Sequence, residues 1–197
     1  MSAPSGSDSA DRTLWRAFPW NAQAGEGDPF SARSVPPAHL QTGGRFDIEV
    51  TCVLYLGQSP EHAVAEVLRQ FRGRPLRPYH LRLHRFPLAL VAVTLPGRIA
   101  AGLADLADPA VLLRYGLRAD TLALPESVRA ATQAVSRTLY EAGLPGFRWW
   151  SAIHGGWHST VLYVDRVPLD QLVFGTPEVL GLGHPAVVHA ARELRML

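Results

Sequence analysis

The spacing of hydrophobic and polar positions divides most of this chain into short strands and helices. The run Thr51-Cys52-Val53-Leu54-Tyr55-Leu56-Gly57 is apolar and β-prone, which predicts a central strand. A helix follows at once. Ser59 stands where an N-cap belongs, Pro60 suits the first helical position, Glu61 favours the positive end of the helix dipole, and Gly73 closes the segment. Ala63, Val64, Val67, Leu68 and Phe71 form its apolar stripe. At about 100° per residue, Glu66 falls about 130° from the centre of that stripe, on the flank of the helix and out of its core.

Further along, residues 79–86 and 88–95 are expected to be two strands separated near Pro87, the second nearly all apolar and so buried on both faces. Residues 126–142 predict a helix with Val128, Ala131, Val135 and Leu139 on one face and Gly143 at its end. Residues 147–153 and 158–164 pair as a hairpin across Gly155-Gly156. A short strand at 172–174 and a terminal helix from Pro185 complete the pattern. The order of elements predicts a single domain over 13–197, mixed α/β or α+β, the latter with a central mixed or antiparallel sheet flanked by helices.

Two segments lack any period. Residues 1–12 are small and polar and are expected to be a flexible tail. Residues 19–42, rich in Gly, Pro, Ser and Asn, are expected to be a long ordered loop of the kind that often carries function.

Composition narrows the class. The 197 residues are 47% hydrophobic and 18% charged, as in a folded globular chain. A formal charge of +2 is too small to imply nucleic-acid binding by itself. Every basic residue is an arginine, whose planar fork suits phosphate. The lone cysteine, Cys52, excludes an internal disulfide framework and fits a reducing compartment. There is no signal-peptide core and no run of about 18 apolar residues, so a cytoplasmic location without membrane insertion is expected.

Candidate chemistry is scattered when taken residue by residue. Ser151 alternates onto the face of Phe147, Trp149 and Ile153, where a buried hydroxyl needs a partner from either the backbone or a ligand. Glu66 on its flank is equally compatible with a solvated surface carboxylate. Arg45 follows Gly43-Gly44, which permit a sharp turn or a close backbone approach before a guanidinium. Arg16, beside Trp15, is either a ligand-binding fork or a structural partner.

The order of these residues resembles the RES domain family. The resemblance is carried by Leu14-Trp15-Arg16, Gly43-Gly44-Arg45-Phe46, Val53-Leu54-Tyr55-Leu56 with Ser59-Pro60 and Ala65-Glu66, Ala131-Thr132-Gln133-Ala134, and Gly146-Phe147-Arg148-Trp149-Trp150-Ser151. After Ser151 stand Ala152-Ile153-His154, where family members often carry an arginine.

The resemblance implies an ADP-ribosyltransferase-like fold and makes residues 13–197 a RES-type catalytic domain that binds NAD as substrate and needs no other cofactor. It implies a bacterial toxin that depletes NAD by cleaving the nicotinamide–ribose bond, as a glycohydrolase or phosphorylase, or that transfers ADP-ribose to protein. A Xre-like helix-turn-helix antitoxin would neutralise it, any nucleic acid would be met only through that partner, and a homo-oligomer is possible for the family. In these terms Glu66 and Arg45 are the expected catalytic residues. Arg16, Arg45, Tyr55 and Ser151 are the expected NAD-binding residues, with Arg33 able to exchange roles with either arginine.

Rival readings remain. His80 and His84 on one strand would stand about 13 Å apart, too far for one ion; His154 and His158 span a glycine turn and could converge, but with no Cys cluster and no H-E-x-x-H no metal is expected. Ser151 lacks the G-x-S-x-G elbow of a serine hydrolase. The arginines from Arg69 to Arg85 form a basic stretch suited to nucleic acid, to an acidic protein partner, or to solvent alone.

Overall fold

The computed structural model describes residues 10–41, 43–123 and 129–197. In chain order the strands and helices are β1 (Arg12–Pro19), β2 (Val53–Gly57), α1 (Pro60–Leu68), β3 (Arg82–Leu83), β4 (Phe86–Leu95), α2 (Gly97–Ala100), β5 (Ala104–Asp105), α3 (Pro109–Arg114), α4 (Ala119–Ala123), α5 (Arg129–Glu141), β6 (Gly146–Trp150), β7 (His158–Tyr163), β8 (Val173–Phe174), β9 (Glu178–Val179) and α6 (Pro185–Glu193). The strands form one sheet in the order β3-β4-β1-β2-β7-β6-β5, with β8 and β9 also paired to β4. All pairs are antiparallel except β5 with β6, so the sheet is mixed and the domain α+β.

The alternation of β1 and β4 determines which side chains share a face. β1 pairs with β4 along its whole length, from Arg12 opposite Leu95 to Pro19 opposite Leu88. Leu88 and Leu90 join Trp15 and Ala17 on one face, under α1 and α6. Ala89, Val91, Val93 and Leu95 join Leu14, Phe18, Leu54 and Leu56 on the other. Toward β6 the first face carries a separate aromatic cluster of Phe46, Phe147, Trp149 and Tyr163, covered by Val135 and Leu139 of α5. That face therefore has two helical covers with a gap between them, over β1 and β2.

Local chemistry accounts for most element ends. Ser59 Oγ accepts the His62 N–H at 3.3 Å at the start of α1, as its sequence predicts. The expected helix to Gly73 is shorter: α1 ends at Leu68 and a 3-10 turn covers Arg69–Phe71. Residues 147–150 and 158–163 pair as expected, but the first strand ends at Trp150 and does not reach Ile153, because Ser151 N–H donates to Trp157 O at 2.7 Å and closes the loop there.

The expected strand at 79–86 is corrected. Pro78–Leu81 is a 3-10 turn in which His80 Nδ1 accepts the Arg77 N–H, and only Arg82–Leu83 pair as strand. His84 and Arg85 then turn the chain with positive φ at both positions, as a two-residue hairpin requires. Pro87 does not break β4, because the chain crosses it while still paired to β1 and β3. The elements from α2 to α4, and β9, carry no expectation from the pattern. Residues 1–9 of the expected tail, Thr42 of the expected loop and Val128 of the expected helical stripe lie outside the described residues; Arg12 already belongs to β1. Among the described residues, no helix is long and apolar enough to cross a membrane.

The closest backbone approach is at Gly146, where an added Cβ would strike Val161 O and crowd Leu162 Cα. Gly146→Ala should lower stability by about 1–3 kcal/mol, the usual cost of overpacking. Urea denaturation would show it as a lower midpoint with unchanged slope; a midpoint equal to that of the wild type would contradict the close packing of β6 on β7.

Candidate active site

The gap between the two helical covers is a cavity of about 240 Å³. Its floor comes from alternate residues of the sheet: Trp15 and Ala17 of β1, Tyr55 and Gly57 of β2, Trp149 of β6 and Ser159 of β7. One wall is α1, through Ala63, Glu66, Val67 and Arg69, and the opposite wall is the loop carrying Gly44 and Arg45. α1 packs tightly onto the end of β2, because a Cβ at Gly57 would stand 2.8 Å from Ala63 N. The flank position predicted for Glu66 thus faces this gap.

Glu66 is held on one oxygen. Ser151 Oγ donates to Oε1 at 2.9 Å, and His62 Nε2 stands 3.3 Å from the same atom. Oε2 lies 3.8 Å from Arg69 Nη1. Burial pushes the Glu66 carboxyl upward, but the His62 and Ser151 hydrogen bonds and the Arg69 charge outweigh it, and the group titrates below the ordinary glutamate range. A half-buried carboxylate ionised at neutral pH therefore stands in an aromatic-lined cavity with arginines.

The Arg45 loop is latched by a residue absent from the sequence expectations. Asp47 Oδ2 accepts the Gly44 N–H at 2.6 Å, and its Oδ1 accepts the Tyr55 hydroxyl at 2.8 Å. The Tyr55 oxygen in turn accepts the Phe46 N–H at 3.0 Å. Burial and the Asp47 charge push the Tyr55 hydroxyl well up, so it remains a donor. Gly44 is needed for close approach, since an added Cβ would run into the Asp47 carboxylate and the Tyr55 hydroxyl. From the other side, Thr132 Oγ1 of α5 donates to Arg45 O, and Gln133 Nε2 donates to Gly44 O at 3.4 Å. Arg45 is buried, its guanidinium 5.7 Å from the Phe46 ring centroid.

The five expected residues do not all present themselves alike. Glu66, Arg45 and Tyr55 line the cavity together. Arg16 belongs to its wall, yet alternation turns its side chain to the opposite side of β1, where it donates to Ala32 O at 2.7 Å and Ser34 O at 2.6 Å and lies 5.1 Å from the Phe18 ring. Its fork fastens the 19–42 loop, and burial lowers its pKa to about 10. Ser151 is 3% exposed and stands behind Glu66; its partners are that carboxylate and the Ile153 N–H. Arg33 is outside the cavity, paired with Glu26 and stacked on Phe174.

Sequence reasoning missed His62, Asp47 and Ser159. A histidine four residues before Glu66 on a helix, and an aspartate two after Arg45, were the available signals. Among the described residues the Trp149 indole N–H is buried without a hydrogen-bond partner, beneath a ring that lines the cavity. His80 is buried and stacked on Phe71, His84 packs on Phe30, and His154 Nδ1 accepts the Gly156 N–H, so the histidines first considered for a metal have structural partners.

Tyr55→Phe removes the Asp47 partner and the acceptor of the Phe46 N–H, and should cost about 1–3 kcal/mol of stability; an unchanged denaturation midpoint would refute the latch. Glu66 gives a pH signature. Its folded-state value is depressed, so its stabilisation is fully present above the unfolded-state value and is lost as pH falls through the folded one. The stability difference between wild type and Glu66→Gln should therefore be largest near about pH 7 and shrink toward about pH 3. Urea titrations across that range would expose a constant difference if the ionised carboxylate were not the source.

Comparison with known proteins identifies the fold and the family. No curated protein matches the chain. Among solved structures it is similar to a chain of the M. tuberculosis MbcT–MbcA toxin–antitoxin complex, at a TM-score of 0.58 and 19% identity, over 95% of this chain and 90% of that one. That likeness establishes a shared fold. The family model described as RES domain matches residues 13–174, a span that runs from β1 through Arg45, Tyr55, Glu66 and Ser151 to β8, and the chain belongs to the RES domain family.

Proposed function

We propose that this protein is an enzyme that breaks the nicotinamide–ribose bond of NAD, and that it acts as the toxin of a toxin–antitoxin pair. The observation that carries the reading is the Glu66 carboxylate, kept ionised and held from behind in a cavity it shares with Arg45 and the rings of Trp15, Tyr55 and Trp149. When the C1′–N bond breaks, its electron pair stays with the pyridine nitrogen and neutral nicotinamide departs. The ribose acquires oxocarbenium character, which a fixed carboxylate stabilises. An acceptor oxygen then bonds to C1′ and loses its proton.

Arg45 supplies the fork for the pyrophosphate, and the aromatic rings supply flat surfaces for nicotinamide. Arg16 contributes by holding the 32–34 loop, and Ser151 by holding Glu66. Water, phosphate or a protein side chain as acceptor would make the enzyme a glycohydrolase, a phosphorylase or an ADP-ribosyltransferase. The toxin role is supported by the RES resemblance and by the structural neighbour, which comes from a toxin–antitoxin complex. The partner expected here is a Xre-like helix-turn-helix protein.

A second reading rests on the exposure of Arg72, Arg74, Arg77, Arg82 and Arg85 along one stretch. It makes the protein a nucleic-acid binder and predicts steeply salt-dependent retention on DNA or RNA.

Incubation of purified protein with NAD should release nicotinamide, and Glu66→Gln should slow release by about 10²–10³-fold, the usual loss for one charge-stabilising group. Arg45→Ala should raise KM for NAD. ADP-ribose, its 1″-phosphate or labelled protein as co-product identifies the acceptor. No nicotinamide with any of the three acceptors would end the enzymatic reading.

A further inference from the structure

We propose that His62 is the positioning residue of this site: its Nε2–H holds Glu66 Oε1, so that Oε2 is the oxygen presented to the ligand. The inference rests on the reading of Glu66 as the catalytic carboxylate. His62 is completely buried, and its ring stacks on Trp157 with centroids 5.1 Å apart and planes 23° from parallel. Nδ1 accepts the Gln58 N–H at 3.2 Å, which leaves the ring hydrogen on Nε2. That nitrogen stands 3.3 Å from Glu66 Oε1 and 3.2 Å from Ser159 Oγ.

Ser151 donates to the same Oε1 at 2.9 Å. With both donors on one oxygen, rotation of the carboxylate about its last bond would break two hydrogen bonds in a partly dehydrated site. Oε2, 3.8 Å from Arg69 Nη1, is the oxygen not engaged by this pair. His62 and Glu66 are one turn apart on α1, and the His62 N–H itself caps onto Ser59 Oγ. Cap, imidazole and carboxylate thus form one rigid unit, which Ser151 alone, reaching in from the loop after β6, does not create. Such fixing places the charge where it is needed before the bond breaks.

His62→Phe keeps the stack on Trp157 and removes the donor, whereas His62→Gln keeps an N–H near the Nε2 position. A hydrogen bond to a charged group is at stake, so kcat for nicotinamide release should fall about 10- to 100-fold in His62→Phe. KM for NAD should stay within about 2-fold, and kcat should largely recover in His62→Gln. The acid limb of the kcat profile should also move to higher pH in His62→Phe. The groups still facing Glu66 there are Arg69 on its own helix, Ser151 after β6, Ser159 of β7, Tyr55 of β2 and Arg45 in the opposite wall; the Arg16 guanidinium lies on the other side of β1.

Two NMR measurements stand apart from activity. Nitrogen-15 shifts of the wild-type His62 ring should show hydrogen on Nε2 and a bare Nδ1, and the carbon-13 titration of Glu66 should move up in His62→Phe and return in His62→Gln. Equal kcat in wild type and His62→Phe, equal losses in the Phe and Gln variants, or hydrogen on Nδ1 would each overturn the proposal. A wild-type protein that releases no nicotinamide would overturn the enzymatic reading instead, while the ring tautomer and the Glu66 titration still decide the role of His62. The tautomer needs no variant, so it decides even where a substitution prevents folding.

Discussion

β1 is the strand on which the arrangement depends. It is paired along its full length to β4 and continued on its other side by β2, so its alternation cannot slip without moving every residue to the wrong face. Trp15 and Ala17 face the helices, while Leu14, Arg16 and Phe18 face the second core. The same parity on β2, β6 and β7 brings Tyr55, Gly57, Trp149 and Ser159 to the helical side. The cavity exists because α1 and α6 cover one part of that face and α5 the other, with neither reaching across β1 and β2.

Glu66 stays charged in this setting through protein donors. Burial alone would favour its neutral form, and two hydrogen bonds and an arginine reverse the balance. The opposing wall is organised by the same means: the Asp47 carboxylate gathers the Gly44 amide and the Tyr55 hydroxyl, and α5 holds the Gly44 and Arg45 carbonyls. Both walls are thus set before a ligand arrives, which suits the proposed cleavage, whose difficulty is transient positive charge on a sugar. The long 19–42 loop belongs to the same design at a distance, since Arg16 fastens it by two carbonyls on the far side of the strand that floors the cavity.

Local sequence was sufficient for several of these parts. The apolar run ending at Gly57, followed by Ser59 and Pro60, specifies strand, cap and helix without reference to the rest of the chain, and helical geometry already places Glu66 on a flank. The hairpin between β6 and β7, and the terminal helix after Pro185, are equally local. The ordered motifs that carry Arg16, Arg45, Tyr55, Glu66 and Ser151 resemble the family whose model matches residues 13–174.

Other features required the assembled sheet. β5 and β9 are two residues each and exist only because neighbouring strands offer them hydrogen-bonding partners. Residues 78–81 have strand-like composition, but Pro78 and the His80–Arg77 contact bend them into a turn. The direction of Arg16 depends on which face of β1 meets the long loop, a choice made by pairing with β4. His62 has the spacing of an ordinary surface pair with Glu66. It becomes part of the site because Trp157 and β7, almost a hundred residues away in the chain, bury it against that carboxylate. Periodicity along a chain determines which side a residue occupies in its own element; what stands opposite is decided by packing between elements that are remote in sequence.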